Sequence, residues 1–264
     1  MLKKIIVILI TTFTLVVNAY AGSDGELILK KNEPSEIKDC SETFNKASFA
    51  LNQGLDKVIF KPVSSVYRAL PSPIKTGVSN SLNNLSNVVT IPNNILQGEF
   101  ALAGVNTGRF LINTTVGILG LIDVATYLGF DEYVKEDYGQ SLASHGVGPG
   151  CYLVLPVLGP STIRDTTGSF ANVMGGDPWY NASVHGNNQF LSEGVYITSK
   201  ALSGIEFRAN NIESLDNLET NSIDFYASVR SLYLQDRENK IKNNKRGNID
   251  VIYSDEEDWE EINN

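Results

Sequence analysis

Between Arg109 and Asp165 the chain mixes short apolar runs with glycine, proline and polar residues. The run RFLINTTVGILGLIDVATYLGF holds Asn113, Thr114, Thr115 and Asp123 among its apolar positions, with Gly117 and Gly120 in the middle. A membrane-spanning helix wants about 20 mostly apolar residues and no central charge, which this run does not supply. The next run, DYGQSLASHGVGPGCYLVLPVLGPSTIRD, is punctuated by Gly146, Gly148, Pro149, Gly150, Pro156 and Pro160. Broken backbone of this kind survives near lipid only where protein or water satisfies its polar groups. The pattern points to a chain that lies in or against a bilayer and handles something apolar.

From Cys40 onward the spacing turns helical. Phe44, Phe49, Leu51, Leu55, Val58, Ile59 and Val66 come close to an i, i+3, i+4, i+7 repeat, with Pro62 starting or kinking a segment. Ser72 reads as an N-cap with Pro73 at the first helical position. The helix that follows carries an apolar stripe of Ile74, Val78, Leu82, Leu85 and Val89, an opposite face of Asn80, Asn83, Asn84 and Asn87, and an end at Pro92. A further helix is expected from Phe100 to Val116, with Leu102, Val105, Ile112 and Val116 on one face, after which Gly117 and Gly120 loosen the backbone. Asp131 to Asp137 reads as acidic and exposed. Glycine and proline rule out a long helix from Gly146 to Pro160, and CYLVLPVL there suits a strand-like hairpin arm. Pro160 or Ser161 opens a helix ending at Gly175-Gly176, and another covers Gln189 to Leu202. Asn221 or Ser222 caps SIDFYASVRSLYLQDREN, with Phe225, Val229, Leu232 and Tyr233 on one side. Apolar stripes of this kind are ordinarily core faces. The fold class is mainly α, without internal repeats.

The N-terminus has the form of a cleaved secretion signal over residues 1–21. Lys3 and Lys4 make the positive region, Ile5 to Val17 the apolar core, and Ala19-Tyr20-Ala21 a small-x-small cleavage site before Gly22. Residues 22–38 form a flexible leader, 39–239 a helical domain, and 240–264 a polar and acidic tail without fixed structure. No cysteine stands at the cleavage point to carry a lipid. At 42% hydrophobic content the 264 residues can bury a core without being a polytopic bundle. A net charge of −9 and the lack of a basic patch argue against nucleic acid, and make any membrane affinity chiefly hydrophobic. Cys40 and Cys151 enter an oxidising compartment, either bridged across a loop of about 110 residues or as two buried thiols.

The best enzymatic signal is Gly139-Gln140-Ser141-Leu142-Ala143, close to a nucleophile elbow, with His145-Gly146 nearby. A hydrolase would need Ser141, His145 or His185, and an acid such as Asp165. The elbow should follow a buried strand, yet Ser141 follows the charged run DEYVKEDY. Cys40, His145, Cys151 and His185 lack metal-ligand spacing, and GVGPG has no following Lys-Ser/Thr to complete a phosphate loop. No metal and no cofactor is expected.

Several motifs in order resemble the MlaA (VacJ) family. They are Phe44-Asn45-Lys46-Ala47 with Phe49 and Asn52, Lys61-Pro62-Val63, and Arg109-Phe110-Leu111-Ile112-Asn113-Thr114 with Gly117, Gly120 and Asp123-Val124-Ala125. Tyr138-Gly139-Gln140, Leu142, His145-Gly146-Val147-Gly148, Leu155-Pro156, Gly159-Pro160-Ser161-Thr162 and Arg164-Asp165 continue the match. It closes with Gly204-Ile205-Glu206, Arg208, Leu215-Asp216, Asp224, Tyr226, Arg230, Tyr233 and Arg237. The resemblance implies a ring of amphipathic helices lying flat in the periplasmic leaflet of the outer membrane, with an amphipathic channel through it. It also implies a non-enzymatic role. Phospholipids astray in the outer leaflet pass to a periplasmic lipid carrier of the MlaC type, beside a trimeric outer-membrane porin. Most familiar members carry a lipobox cysteine directly after the signal, where this chain has Ala21-Gly22.

On that resemblance the lipid-path or gate candidates are Phe44, Asn45, Phe49, Arg109, Asn113, Asp123, His145, Gly146, Gly148, Gly150, Arg164 and Asp165. Arg109 and Asp123 either pair or make two independent contacts, and the asparagine face lines a channel or meets solvent. The glycine-rich arm from Gly146 to Pro160 is a gate candidate. Two other readings stand beside the conduit: a periplasmic lipid hydrolase using Ser141, and a structural envelope protein that only binds a porin.

Overall fold

The structure, a computed structural model, describes residues 37–185 and 192–243. The secretion signal, most of the leader, the start of the helix expected at Gln189 and the acidic tail lie outside the described residues.

Eleven helices and one hairpin make up the described chain. Helix α1 (Glu42–Leu55) continues through a π-helical turn (Asp56–Phe60) into α2 (Lys61–Arg68). The long α3 (Ser72–Leu96) and α4 (Phe100–Thr115) lie side by side. Short α5 (Val124–Tyr127) and α6 (Tyr138–Ser144) lead to strands β1 (Tyr152–Leu155) and β2 (Gly159–Thr162). Helix α7 (Ile163–Ala171) runs into a second π turn, followed by α8 (Pro178–Tyr180) and a third. The chain closes with α9 (Glu193–Asn210), α10 (Ile212–Asn221) and α11 (Phe225–Asn243). The elements pack in a closed circuit: α1 to α2 through the π turn, then α9, α3, α6, α7, the hairpin, and back to α1. Helix α11 packs against α6 and β2.

Along α1 to α4 the expected core faces are largely replaced by polar ones, although Leu82 stays buried. On α1 the buried residues are Asn45 and Ser48, and on α2 Ser64 and Tyr67, while Phe44, Leu51, Val58, Ile59 and Val66 are exposed. Along α3 the buried stripe is Leu82, Asn84, Asn87, Thr90, Asn93 and Asn94, so Asn84 and Asn87 are not on a solvated face. Helix α4 meets it with Ala103, Asn106, Arg109 and Asn113. Buried amides are ordinarily hydrogen-bonded; several here find partners across the two helices, while Asn84 Oδ1 and Asn87 Oδ1 have none among the described residues. Asn106 Nδ2 donates to Asn94 Oδ1 at 2.9 Å, and Asn84 Nδ2 to Thr114 Oγ1 at 2.9 Å. Both faces of such a helix repeat every 3.6 residues, so periodicity alone does not say which face points inward.

Other boundaries move for local reasons. Helix α3 runs through Pro92 to Leu96. The ring of Pro92 removes one backbone donor, and Asn93 Nδ2 donates to the Val89 carbonyl at 2.8 Å in the same turn. Gly159 to Thr162 is strand, so α7 begins at Ile163 with Thr162 as its cap and not at Pro160 or Ser161. The residue capping α11 is Asp224, whose carboxylate accepts from the Ala227 amide at 3.0 Å. Leu232 is exposed, and the inward side of α11 carries Tyr226, Tyr233 and Leu234. In the run 131–137 Glu136 is buried, accepting from Gln97 at 3.0 Å and from Gln140. The turn after α4 is tight where looseness was expected. Gly120 has φ of +88° and a side chain there would lie 2.6 Å from Asn84 Cβ.

The conventional apolar core is small. Tyr152 and Val154 of β1 are fully buried against Tyr226, with Ile37, Phe49, Tyr233 and Leu234 around them. Cys40 and Cys151 are joined in a disulfide, their Cα atoms 5.6 Å apart.

Candidate functional site

The closed circuit leaves a cleft of about 670 Å³ bounded by α3, the segment before α6, the hairpin, α7, α9 and α11. Its lining has two characters. Leu82, Leu85, Val89, Leu155, Leu158 and Pro160 supply apolar surface, and Lys135, Asp137, Asp165, Asp177, Lys200 and Arg237 supply charge.

Arg237 organises the charged side. Its Nη1 donates to Asp137 Oδ2 at 2.7 Å, and its Nη2 to Asp165 Oδ1 at 2.8 Å. Tyr233 Oη donates to Asp165 Oδ2 at 2.7 Å, and Arg164 Nε to Asp165 Oδ1 at 3.0 Å. Burial works to raise the carboxyl pKa of Asp165 and of Asp137, but the charge and hydrogen bonds of Arg237 outweigh it and hold both below the usual range. Across the cleft, buried Asp177 caps α8 through the Trp179 amide at 2.9 Å and pairs with Lys200 at 3.3 Å. Burial with Asp177 nearby pushes the Tyr196 phenol up to about 12.

The sequence candidates fall into three places. Arg164 and Asp165 lie at the cleft, with Asp165 in its wall. Arg109, Asn113 and Asp123 form a separate network between α4 and α5. Arg109 Nη2 donates to Asp123 Oδ2 at 2.7 Å, Arg109 Nη1 to the Asp131 carbonyl at 2.7 Å, and Asn113 Nδ2 to Asp123 Oδ1 at 2.8 Å. Burial would raise the Asp123 pKa, but hydrogen bonds from Thr126 and Asn113 and the charge of Arg109 hold it low. The third group surrounds the hairpin. Asn45 is buried beneath β1, Phe49 packs edge-on to Phe225 and Tyr226 with centroids 5.3 Å apart, and Phe44 is exposed. His145, Gly146, Gly148 and Gly150 form the exposed approach to β1.

The cations Lys135 and Lys200 went unmarked in the sequence, because helix reading followed the apolar positions. Arg237 stood among the family motifs without a role at the site. Ser141, in turn, lies inside helix α6, not on an elbow, and its Oγ donates to Asn93 Oδ1 at 2.6 Å. The His145 ring contacts the Ser141 carbonyl at 2.8 Å, not the hydroxyl, so these two residues do not form a nucleophile–base pair.

Comparison with known proteins agrees with this architecture. Residues 37–240 match the family model described as MlaA lipoprotein. The chain belongs to the MlaA family. Among relatives, a protein of Rickettsia bellii is 33% identical over 89% of this chain and 91% of its own length. The intermembrane phospholipid transport system lipoprotein MlaA of Escherichia coli (strain K12) is 33% identical over 75% of this chain and 76% of its own. A solved structure concerned with the structural basis for maintenance of bacterial outer membrane lipid asymmetry superposes with a TM-score of 0.66. It is 31% identical and covers 77% of this chain and 99% of its own. As an MlaA-family fold, the structure is mainly helical, and among the described residues no helix is long and apolar enough to cross a membrane.

Proposed function

We propose that this protein is an outer-membrane phospholipid conduit that helps to maintain lipid asymmetry. It takes mislocalised phospholipid from the outer leaflet and passes it inward to a periplasmic carrier of the MlaC type, with a trimeric porin as its membrane companion. The observation that carries the reading is the largely polar packing of α1 to α4. Val58, Val66, Phe100 and Leu119 are 76%, 71%, 70% and 74% exposed, while asparagines, threonine and arginine fill the interior. Water as the sole solvent would disfavour that arrangement, whereas acyl chains around the rim favour it.

The ring then lies in the periplasmic leaflet, held by its apolar rim, with its cleft open to a lipid head. Stranding a polar head in hydrocarbon costs several kcal/mol, and the charged wall around Arg237 and Lys200 offsets that cost. The apolar wall from α3 and the hairpin takes the chains. No bond is made or broken in this work. Relatives in the family are named lipoproteins, and the exposed apolar side chains supply a membrane hold of their own.

Fractionation of the native envelope, with mass spectrometry of bound lipid, tests the proposal. The protein is expected in the outer membrane with phospholipid bound, and a deletion strain is expected to accumulate surface phospholipid. Co-purification with a porin but no lipid exchange would leave only a structural role, and a freely soluble, lipid-free protein would end the reading.

A further inference from the structure

The apolar lining of the cleft runs from the interior to the surface. Leu82 on α3 is buried, and Leu85, Val89 and Leu155 are half-buried. Leu158 at the hairpin tip and Val173 in the π turn after α7 line the same cleft while 76% and 42% exposed. Beside them Val157, Phe170 and Met174 are exposed without lining the cleft. Apolar surface is therefore continuous in the chain from the cleft to the exterior at these two turns, while Arg237 and its partners keep the charge inside.

The hairpin tip is held in a strained form. Val157 is β-branched and sits at φ +68°, a left-handed conformation that such residues rarely adopt. Strain of this kind persists only where neighbours impose it, and it concentrates at functional sites. Here Asn52 imposes it, its Oδ1 accepting from the Val157 amide at 2.6 Å. Glycine would relieve the strain and lose the apolar side chain. Size points the same way. The cleft of about 670 Å³ holds roughly 20 water-sized groups at about 30 Å³ each, whereas a diacyl phospholipid has about 50 heavy atoms. A lipid whose head reaches Arg237 leaves much of its tails outside.

We propose that the hairpin tip and the π turn after α7 form an acyl portal in the side of the cleft, with Leu158 and Val173 as its sill. A bound phospholipid keeps its head in the cleft. Its tails leave across the sill onto the outer surface of Val157, Phe170 and Met174. The inference rests on the conduit reading and adds where the tails of its substrate lie.

The full chain, extracted from the envelope into a nonionic detergent, is loaded with phosphatidylethanolamine carrying a photoreactive diazirine in one acyl chain. After illumination the adducts are mapped by mass spectrometry. They are expected at Leu158, Val173 and the exposed residues beside them, and excess unlabelled phosphatidylethanolamine should suppress them. Labelling at Leu119, which is equally exposed but outside the cleft, should not saturate. Leu158→Asn and Val173→Asn should each weaken retention of phospholipid about fourfold, the scale of burying one methylene. Leu119→Asn should leave retention unchanged, and Leu158→Met should preserve it, which separates lost apolar surface from a disturbed hairpin. Adducts that saturate elsewhere or not at all, or retention indifferent to both sill variants, overturn the portal while leaving the conduit standing. Failure of the unaltered protein to retain any phospholipid overturns both.

Discussion

Asn45 and Asn52 stand seven residues apart on α1, and each presents both ends of its amide to the free edge of β1. Asn45 donates to the Tyr152 carbonyl at 3.0 Å and accepts from the Val154 amide at 2.8 Å. Asn52 donates to the Leu155 carbonyl at 2.9 Å and accepts from the Val157 amide at 2.6 Å. Seven helical residues rise about 10.5 Å and three strand residues about 10 Å, so the two spacings agree. The helix thereby stands in for a third strand on a two-stranded sheet whose edge would otherwise be open.

Asn45→Ala should cost about 2–3 kcal/mol, because it leaves a buried N–H and a buried C=O without partners. Asn52→Ala should cost about 1 kcal/mol, since water reaches the Val157 amide. Thermal unfolding in detergent gives the totals. Amide hydrogen exchange should rise at Val154 in the first variant and at Val157 in the second. Unchanged exchange at both positions would show that the disulfide at Cys151 and the buried Tyr152 hold the arm without these amides.

Removal of Arg109 is expected to be severe. Its side chain is only 3% exposed, and it serves Asp123, Thr126 and the Asp131 carbonyl together. Arg109→Ala leaves a partly buried carboxylate uncompensated, a loss of about 3–5 kcal/mol. Arg109→Lys should recover only part of it, because one ammonium does not span the positions reached by Nη1 and Nη2. A lysine variant as stable as the parent in thermal unfolding would contradict the forked geometry.

Stability should fall in acid with a definite sign. Asp137 and Asp165 have folded pKa values below their unfolded ones, near 3.9. Their contribution is therefore full above the unfolded pKa and lost as pH drops through the folded values. Thermal stability should be level from about pH 7 to about pH 5 in this respect and decline below about pH 4. Asp165→Asn should make that decline shallower while lowering stability at neutral pH. An unchanged acid slope in the variant would remove Asp165 from the account.

Much of the architecture was legible as periodicity. Helix α4 spans Phe100–Thr115, one residue short of the expected span, and CYLVLPVL contributes a strand and turn to the hairpin. What periodicity could not supply was direction. Ile74 and Asn84 belong to stripes of one period, and only the medium around the helix decides which is buried. Pro92 misled because a long helix packed along α4 can continue through a proline that removes only one hydrogen bond. Arg237 was hard to see as a site residue because its position depends on Asp165 and Asp137, 72 and 100 residues away in the chain. Such contacts leave no local spacing to read.

The turn between α4 and α5 offers the cleanest test of the apolar rim. Val116, Ile118, Leu119, Leu121 and Ile122 are all exposed there. Leu119 sits at φ +56°, a left-handed conformation that asparagine and aspartate tolerate better than leucine. Leu119→Asp should therefore fold as well as the parent, since it removes little packing and adds no backbone strain. In a lipid setting it places a charge where apolar surface is wanted, and co-flotation with neutral liposomes should fall by about tenfold or more. Lys75→Asp is the control: it introduces the same side chain beside the polar pocket near Arg68 and Glu213, and should weaken flotation far less. Equal loss in both variants would mean that net charge governs the association, and the rim would no longer explain it. Loss confined to Leu119→Asp places this turn in the acyl region and orients the ring, with α3 and α4 toward the membrane.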